Sequence, residues 1–194
     1  MRKAKRGGAS RAKRQSAGTQ DAIALLKADH RQVEEWFEQF ESTRSSSRKS
    51  DLAQKICAAL KTHTMIEEEI FYPAFLEATE DEDIHHEAEV EHDGAKKLIA
   101  EIEGSGPDDD YFDARVTVLS EMIKHHVREE EKRDGMFAKA RSAGMDLKTL
   151  GEQLATRKAE IESDGAGGMR SRRAPGGAGR RAMELLGKGA RSAH

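Results

Sequence analysis

Four stretches of this 194-residue chain carry an apolar stripe at helical spacing, and each stripe has a histidine in phase with it. In the first, Ile23, Leu26, Val33, Phe37 and Phe40 step by three, seven, four and three residues, and His30 fills the gap of seven. In the second, Leu52, Ile56, Ala59, Ile70 and Ala74 share a face with His63 and Glu67. In the third, Ala88, Ala95, Leu98 or Ile99, and Ile102 flank His92. In the fourth, Phe112, Val116, Leu119 and Ile123 run in phase into His126 and Glu130. An apolar helix face is buried against a core, and a polar group carried inside with it is costly unless something satisfies it. A fold for this chain must bring these six polar side chains to partners.

The spacing brings them to each other. His30 precedes His63 by 33 residues and His92 precedes His126 by 34, and each second histidine is followed four residues later by a glutamate. In an antiparallel hairpin, equal paths out and back put such pairs at one depth, and positions i and i+4 lie on one helix face. Singly, each feature has an ordinary reading, because a lone histidine is usually a hydrogen-bonded core or surface residue and a lone H-x-x-x-E a solvated pair. Jointly, six unpartnered polar groups in one core layer would be severely destabilising, whereas two divalent metal ions would satisfy them all. With no thiolate in the set, imidazole plus carboxylate suits non-haem iron, manganese or zinc. If Glu67 and Glu130 bridge, coordination positions stay open for a bridging oxygen, water and a small diatomic or peroxide ligand.

The neighbouring acids Glu68, Glu69, Glu129 and Glu131 read as solvated, with Glu69 near a bend that Pro73 makes by removing the donor for its carbonyl. His125 with Glu129 has the same i, i+4 geometry as His126 with Glu130; the apolar steps favour the latter pair. His85 lies seven residues before His92, roughly 10 Å along a helix axis and too far for the same metal pair.

Three prolines and abundant Ala, Glu, Lys, Leu and Arg argue for an all-helical chain. The Ser-rich 42–50 stretch and Gly-Ser-Gly-Pro at 104–107 read as connectors, and Gly144 ends a long fourth element before a shorter helix over 146–162. The expectation is an up-down-up-down four-helix bundle over residues 21–162, with the shorter fifth helix packed outside. Residues 1–20 hold seven Lys/Arg and no acid, and residues 163–194 seven against two, so the −3 chain has an acidic body of about −15 between basic ends. Those ends, rich in Gly, Ala and Ser, lack the apolar surface to offset ordering entropy and read as disordered tails. Such tails either bind nucleic acid or another polyanion through clustered arginine, recruit a protein partner, or are simply solvated. A single cysteine excludes an internal disulfide, and no apolar run matches a signal segment or membrane span, so a cytoplasmic protein is expected. Cys57, beside Ile56 and Leu60, reads as a buried small hydrophobe.

Through LLKADHRQVEEWFEQF, HTMIEEEIFYPAF, EAEVEHDGAKKLIAEIE and VTVLSEMIKHHVREEE, the chain resembles the hemerythrin-like, HHE cation-binding family. The resemblance implies a four-helix bundle around a non-haem di-iron centre that binds or senses oxygen, nitric oxide or peroxide, or handles iron. It also implies that His30, His63, Glu67, His92, His126 and Glu130 are ligands. Oxygen-carrying hemerythrins have a further histidine one turn before the one matching His92, and this chain has Ala88 there. Glu89 is placed either to compensate or to face solvent. Three functions follow: a di-iron binding or sensing module, a di-iron enzyme consuming peroxide or nitric oxide, and an interaction protein acting through its tails.

Overall fold

The computed structural model describes residues 20–171, which are helical throughout apart from short connections. Helix α1 (Ala22–Ser42) starts at Asp21, whose carboxylate accepts from the Ala24 N–H at 2.8 Å. Helix α2 (Ser46–Ile66) starts at Ser45, whose hydroxyl accepts from the Arg48 N–H at 3.3 Å. Each cap satisfies a donor that the first helical turn leaves without a partner. A π-helical turn, Glu67–Phe71, joins α2 to α3 (Tyr72–Thr79), and α4 (Glu82–Gly104), α5 (Phe112–Glu131), α6 (Met136–Ser142) and α7 (Leu147–Ser171) follow. Helix α1 packs on α2, α2 on α4, α4 on α5 and α5 on α1, closing a four-sided bundle. Helix α7 lies outside it, against α1, α2 and the π turn. No helix among the described residues is long and apolar enough to cross a membrane.

The predicted stripes lie inside, with Ala59 only half-buried, as far as Glu67, beyond which the π turn changes the phase. Ile70 and Ala74, expected in the core, are half-buried, while Phe71, Tyr72 and Phe75 are buried. The Tyr72 N–H bonds to the carbonyl of Glu67, five residues back, and Pro73 has no N–H to offer Glu69. The extra residue rotates everything after it by about 100° relative to an uninterrupted helix. What the sequence suggests as a proline bend is therefore a phase shift that carries two more aromatic rings inward.

The expected long fourth element is also two helices. Between α5 and α6 the Gly135 N–H bonds to the Lys132 carbonyl at 3.0 Å, and a Cβ on residue 135 would lie 2.2 Å from the carbonyl oxygen of Glu129. Only glycine lets the chain turn that tightly against the end of α5. Gly144, at φ +74°, closes α6. Helix α7 is 25 residues long, rather than the shorter element expected, and runs beyond 162 to Ser171. The glycines at 165, 167 and 168 suggested an earlier end, but glycine costs a helix only about 1 kcal/mol relative to alanine and does not bar it. The remainder of the expected basic tails, residues 1–19 and 172–194, lies outside the described residues.

The core has two parts. Val33, Phe37, Phe40, Leu60, Ile99 and Ile123 belong to one cluster; Ile23, Leu26, Phe71, Phe75, Ala88 and Met136 belong to the other. On α1, α2 and α4 the change from one cluster to the other falls at the polar residues noted above, and α5, which ends at Glu131, contributes to the first cluster alone. Cys57 sits in the first cluster, 1% exposed, and burial pushes its thiol up to about 12, as befits an inert apolar side chain.

Helix α7 crosses the start of α1 at Gly151, where an added Cβ would lie 2.3 Å from the Gln20 carbonyl oxygen and 2.8 Å from the Ala22 nitrogen. Alanine in an open helix position stabilises; here it must force two backbones apart. Gly151→Ala should lower unfolding free energy by about 1–3 kcal/mol in urea titration, with the helical circular dichroism of the folded state unchanged.

Candidate metal centre

Between the two apolar clusters the bundle holds a layer of polar side chains from α1, α2, the π turn, α4 and α5. His30, His63, Glu67, His92, His126 and Glu130 are all at most 5% exposed, and Glu67 is wholly buried. The four imidazoles point their Nε2 atoms inward in two pairs: His30 and His63, 3.0 Å apart, and His92 and His126, 3.3 Å apart. Glu67 stands between the pairs, its Oε2 lying 3.1 Å from His63 Nε2 and 3.4 Å from His92 Nε2. Glu130 spans them with both oxygens, Oε2 3.4 Å from His30 Nε2 and Oε1 3.7 Å from His126 Nε2. Two overlapping groups, His30–His63–Glu67 and Glu67–His92–His126, have donor atoms close enough to surround one cation each.

The outward ring nitrogens are held by a second set of carboxylates. Glu131 Oε1 is 2.9 Å from His30 Nδ1, Glu68 Oε1 is 2.9 Å from His92 Nδ1, and Glu91 Oε2 is 2.7 Å from His126 Nδ1. Asp29 Oδ2 is 3.6 Å from His63 Nδ1, beyond hydrogen-bond length, so that pair is held by charge attraction. Each acid adjoins a layer residue in sequence but serves a histidine on the next wall of the bundle. Asp29 on α1 serves α2, Glu68 serves α4, Glu91 on α4 serves α5, and Glu131 on α5 serves α1. A carboxylate on Nδ1 fixes the tautomer that leaves the Nε2 lone pair free and makes it a better donor to a cation.

Glu68 and Glu131 are thus not the solvated acids the sequence suggests, and Glu91, Asp29 and Tyr72 are participants it did not single out. The signal was an acid immediately beside an inward-facing residue on each wall. Glu69 is on the surface, bidentate with Arg157 of α7 at 2.6 and 3.1 Å. Of the alternative residues, His125 is half exposed and 3.2 Å from Glu91, Glu129 pairs with Lys132, and Glu89 faces out beside His85. None of the three enters the layer, whereas His126 and Glu130 do. Tyr72 does enter: its hydroxyl lies 3.1 Å from His92 Nε2 and 3.2 Å from Glu130 Oε1. Five residues after Glu67, it would sit about 140° away around an α-helix; the π turn brings it to the same side.

The layer's electrostatics are those of a site built around positive charge. Burial works to lower the pKa of His63, and Glu67, Asp29 and Glu130 outweigh it, raising it to about 10. His30 is pushed down to about 4 by burial and the nearby His63, although its contact with Glu131 works the other way. Burial raises Glu67 while His63 and His92 draw it well below the usual range, and burial together with Glu67 drives Glu130 upward. The positive charge held on His63 in turn keeps Glu67 ionised. Neither oxygen of Glu67, nor Oε2 of Glu130, has a well-directed hydrogen bond; the close imidazoles are within reach but off axis. Orphaned carboxylate oxygens between pairs of inward Nε2 lone pairs fit metal cations in number and in chemistry. A narrow cleft lined by Ile84, Ala88, Glu91, His126, Glu130 and Met136 runs from the surface to this layer.

The family model for the Hemerythrin HHE cation binding domain matches residues 21–138, which contain every member of the layer. This chain belongs to that family. A crystal structure of a hemerythrin HHE cation-binding domain-containing protein from Mycobacterium kansasii is similar at a TM-score of 0.66 and 22% identity, covering 79% of this chain and 94% of that one. At that identity it supports the shared helical fold. No curated protein matches the sequence. As an HHE cation-binding domain, the protein carries its His/Glu clusters where a metal site requires them.

Removing an Nδ1 partner should weaken the HHE site without dismantling it. Glu91→Ala should lower metal affinity by about 10–100-fold in competition with a chelator, and fold with unchanged helix content. An affinity equal to that of the unaltered protein would show that the outer carboxylates do not tune the imidazoles.

Proposed function

We propose that this protein is a non-haem di-iron protein that binds or senses dioxygen or a related small molecule such as nitric oxide or peroxide, or handles iron. The observation that carries the reading is the paired layer itself: two imidazole pairs with one buried carboxylate between them and a second spanning them. His30 and His63 would hold one ion, His92 and His126 the other, with Glu67 and Glu130 shared. Imidazole and carboxylate without thiolate suit iron, and manganese and zinc accept the same donors. Membership of the HHE cation-binding family favours iron. When bound, such ions supply redox-active positions for a small exogenous ligand; the chain supplies an apolar surround and a cleft wide enough for little else.

A binding or sensing role is preferred to turnover because the two openings on the layer, that cleft and a smaller cavity between His63 and Val127, are tight enough to admit only small molecules. The nucleic-acid or protein partner expected of the basic termini concerns residues 1–19 and 172–194, which lie outside the described residues.

The test is iron(II) loading under nitrogen of protein purified without an affinity metal, followed by metal analysis and absorption spectra in air and under nitric oxide. About two irons per chain are expected, with a charge-transfer absorption that changes with each gas and without sustained consumption of it. Glu67→Ala should lose most of the iron. A folded protein that takes up no iron contradicts the reading, and sustained consumption of peroxide or nitric oxide with added reductant moves the assignment to an enzyme.

A further inference from the structure

Helix α7 lays a stripe of Leu147, Leu150, Leu154 and Ile161 on the second apolar cluster, stepping by three, four and seven residues. Lys158 fills the gap of seven, so a cation stands where the spacing asks for an apolar side chain. Its stem is half-buried and its amine bonds Asp29 Oδ1 on α1. Asp29 is the carboxylate behind His63, and its other oxygen, Oδ2, faces that ring's Nδ1 at 3.6 Å. The family match ends at residue 138, and α7 lies beyond it, so this contact joins the polar layer to a helix outside the matched domain.

Each of the other three outer carboxylates also has a basic side chain on its far side. Glu131 has Lys27 and Arg31, Glu68 has Lys96, and Glu91 has His125; these side chains belong to the bundle and are 41–53% exposed. Lys158 comes from outside the bundle and is 27% exposed. The histidine contacts divide in the same way. Glu131, Glu68 and Glu91 lie 2.7–2.9 Å from their Nδ1 atoms, at hydrogen-bond length, and Asp29 lies at 3.6 Å. The carboxylate that α7 holds is the one that falls short of its histidine.

On the reading that the layer binds two irons, we infer that Lys158 is a positioning residue that draws Asp29 back from His63 and so makes the His30–His63 ion the more weakly held of the two. A carboxylate at hydrogen-bond length on Nδ1 strengthens the Nε2 donor, and outer partners of this kind contribute about 10–100-fold in metal affinity. His92 and His126 both have such a partner; on the other side only His30 does. Docking of α7 thereby divides the site into a firmly held ion and an exchangeable one.

The test is stepwise removal of iron(II) by a chelator under nitrogen, with metal analysis at each step. It compares the unaltered full chain with Lys158→Met, Lys158→Arg, Asp29→Asn and the Asp29→Asn, Lys158→Met double variant. Methionine suits the half-buried stripe, so helical circular dichroism should be unchanged; Lys158→Ala carries the same test should methionine disturb the packing. The unaltered protein should release its irons in two separate steps. Lys158→Met should tighten the weaker step about tenfold, as Asp29 closes on His63, and leave the stronger step alone. Lys158→Arg should match the unaltered protein. Asp29→Asn should loosen the weaker step, and adding Lys158→Met to it should change nothing further. Loss of a structural tether loosens iron, so a weaker or unchanged affinity in Lys158→Met overturns the assignment. Release of both irons in one step from the unaltered protein also overturns it. So does a tightening that persists in the Asp29→Asn background, which is the effect of the lysine charge alone. Each of these leaves the iron-binding reading standing, whereas failure of the unaltered protein to bind iron overturns that reading and the assignment together.

Discussion

Two carboxylates, Glu67 and Glu130, sit inside this protein with more lone pairs than the protein offers hydrogens. Most of the structure can be understood as what makes that arrangement tolerable. A buried carboxylate without compensation costs several kcal/mol, an appreciable fraction of a domain's stability. The four imidazoles do not act alike in softening that cost: burial drives His30 neutral, while the acids around His63 hold it positive. The outer ring of Asp29, Glu68, Glu91 and Glu131 adds negative charge around the layer. Negative charge inside and outside a shell of lone-pair donors is the arrangement that the proposed pair of cations would stabilise.

The rest of the fold holds this layer rigid. Apolar clusters above and below exclude water and fix helix positions, so that donors from different walls arrive together. Helix α7, outside the bundle, is tied to the same region: Arg157 grips Glu69 on the π turn, and Lys158 bonds Asp29, the residue behind His63. Surface ion pairs contribute little to stability, about 0–1 kcal/mol each. Their value here is positional, because both anchor segments that carry layer residues.

Much of this was legible in the sequence because a bundle core is periodic. The stripe residues Phe112, Val116, Leu119 and Ile123 predict the side on which His126 and Glu130 lie, and the nearly equal spacings of 33 and 34 predict which histidines meet. The same periodicity hid Tyr72. Counting at 3.6 residues per turn from Glu67 puts it on the wrong side, and only a π turn, which Pro73 hints at without dictating, restores it. The outer carboxylates were missed for a different reason. Glu68 and Glu131 adjoin layer residues on their own helix, where they look solvent-facing, and their partners lie on the neighbouring wall. Cross-helix pairing of that kind is visible only after the helices are placed. Local turn chemistry accounts for the break at Gly135, where two carbonyls leave no room for a Cβ.

The central claim is that the layer is a two-metal site rather than a hydrogen-bonded polar core. Diffraction from crystals of the iron-loaded protein, with data on both sides of the iron absorption edge, tests it most directly. The account predicts two anomalous peaks in each chain, one beside the Nε2 atoms of His30 and His63 and one beside those of His92 and His126, with Glu67 between them. A single peak in the layer, or iron bound only at surface acids with the layer empty, would contradict it.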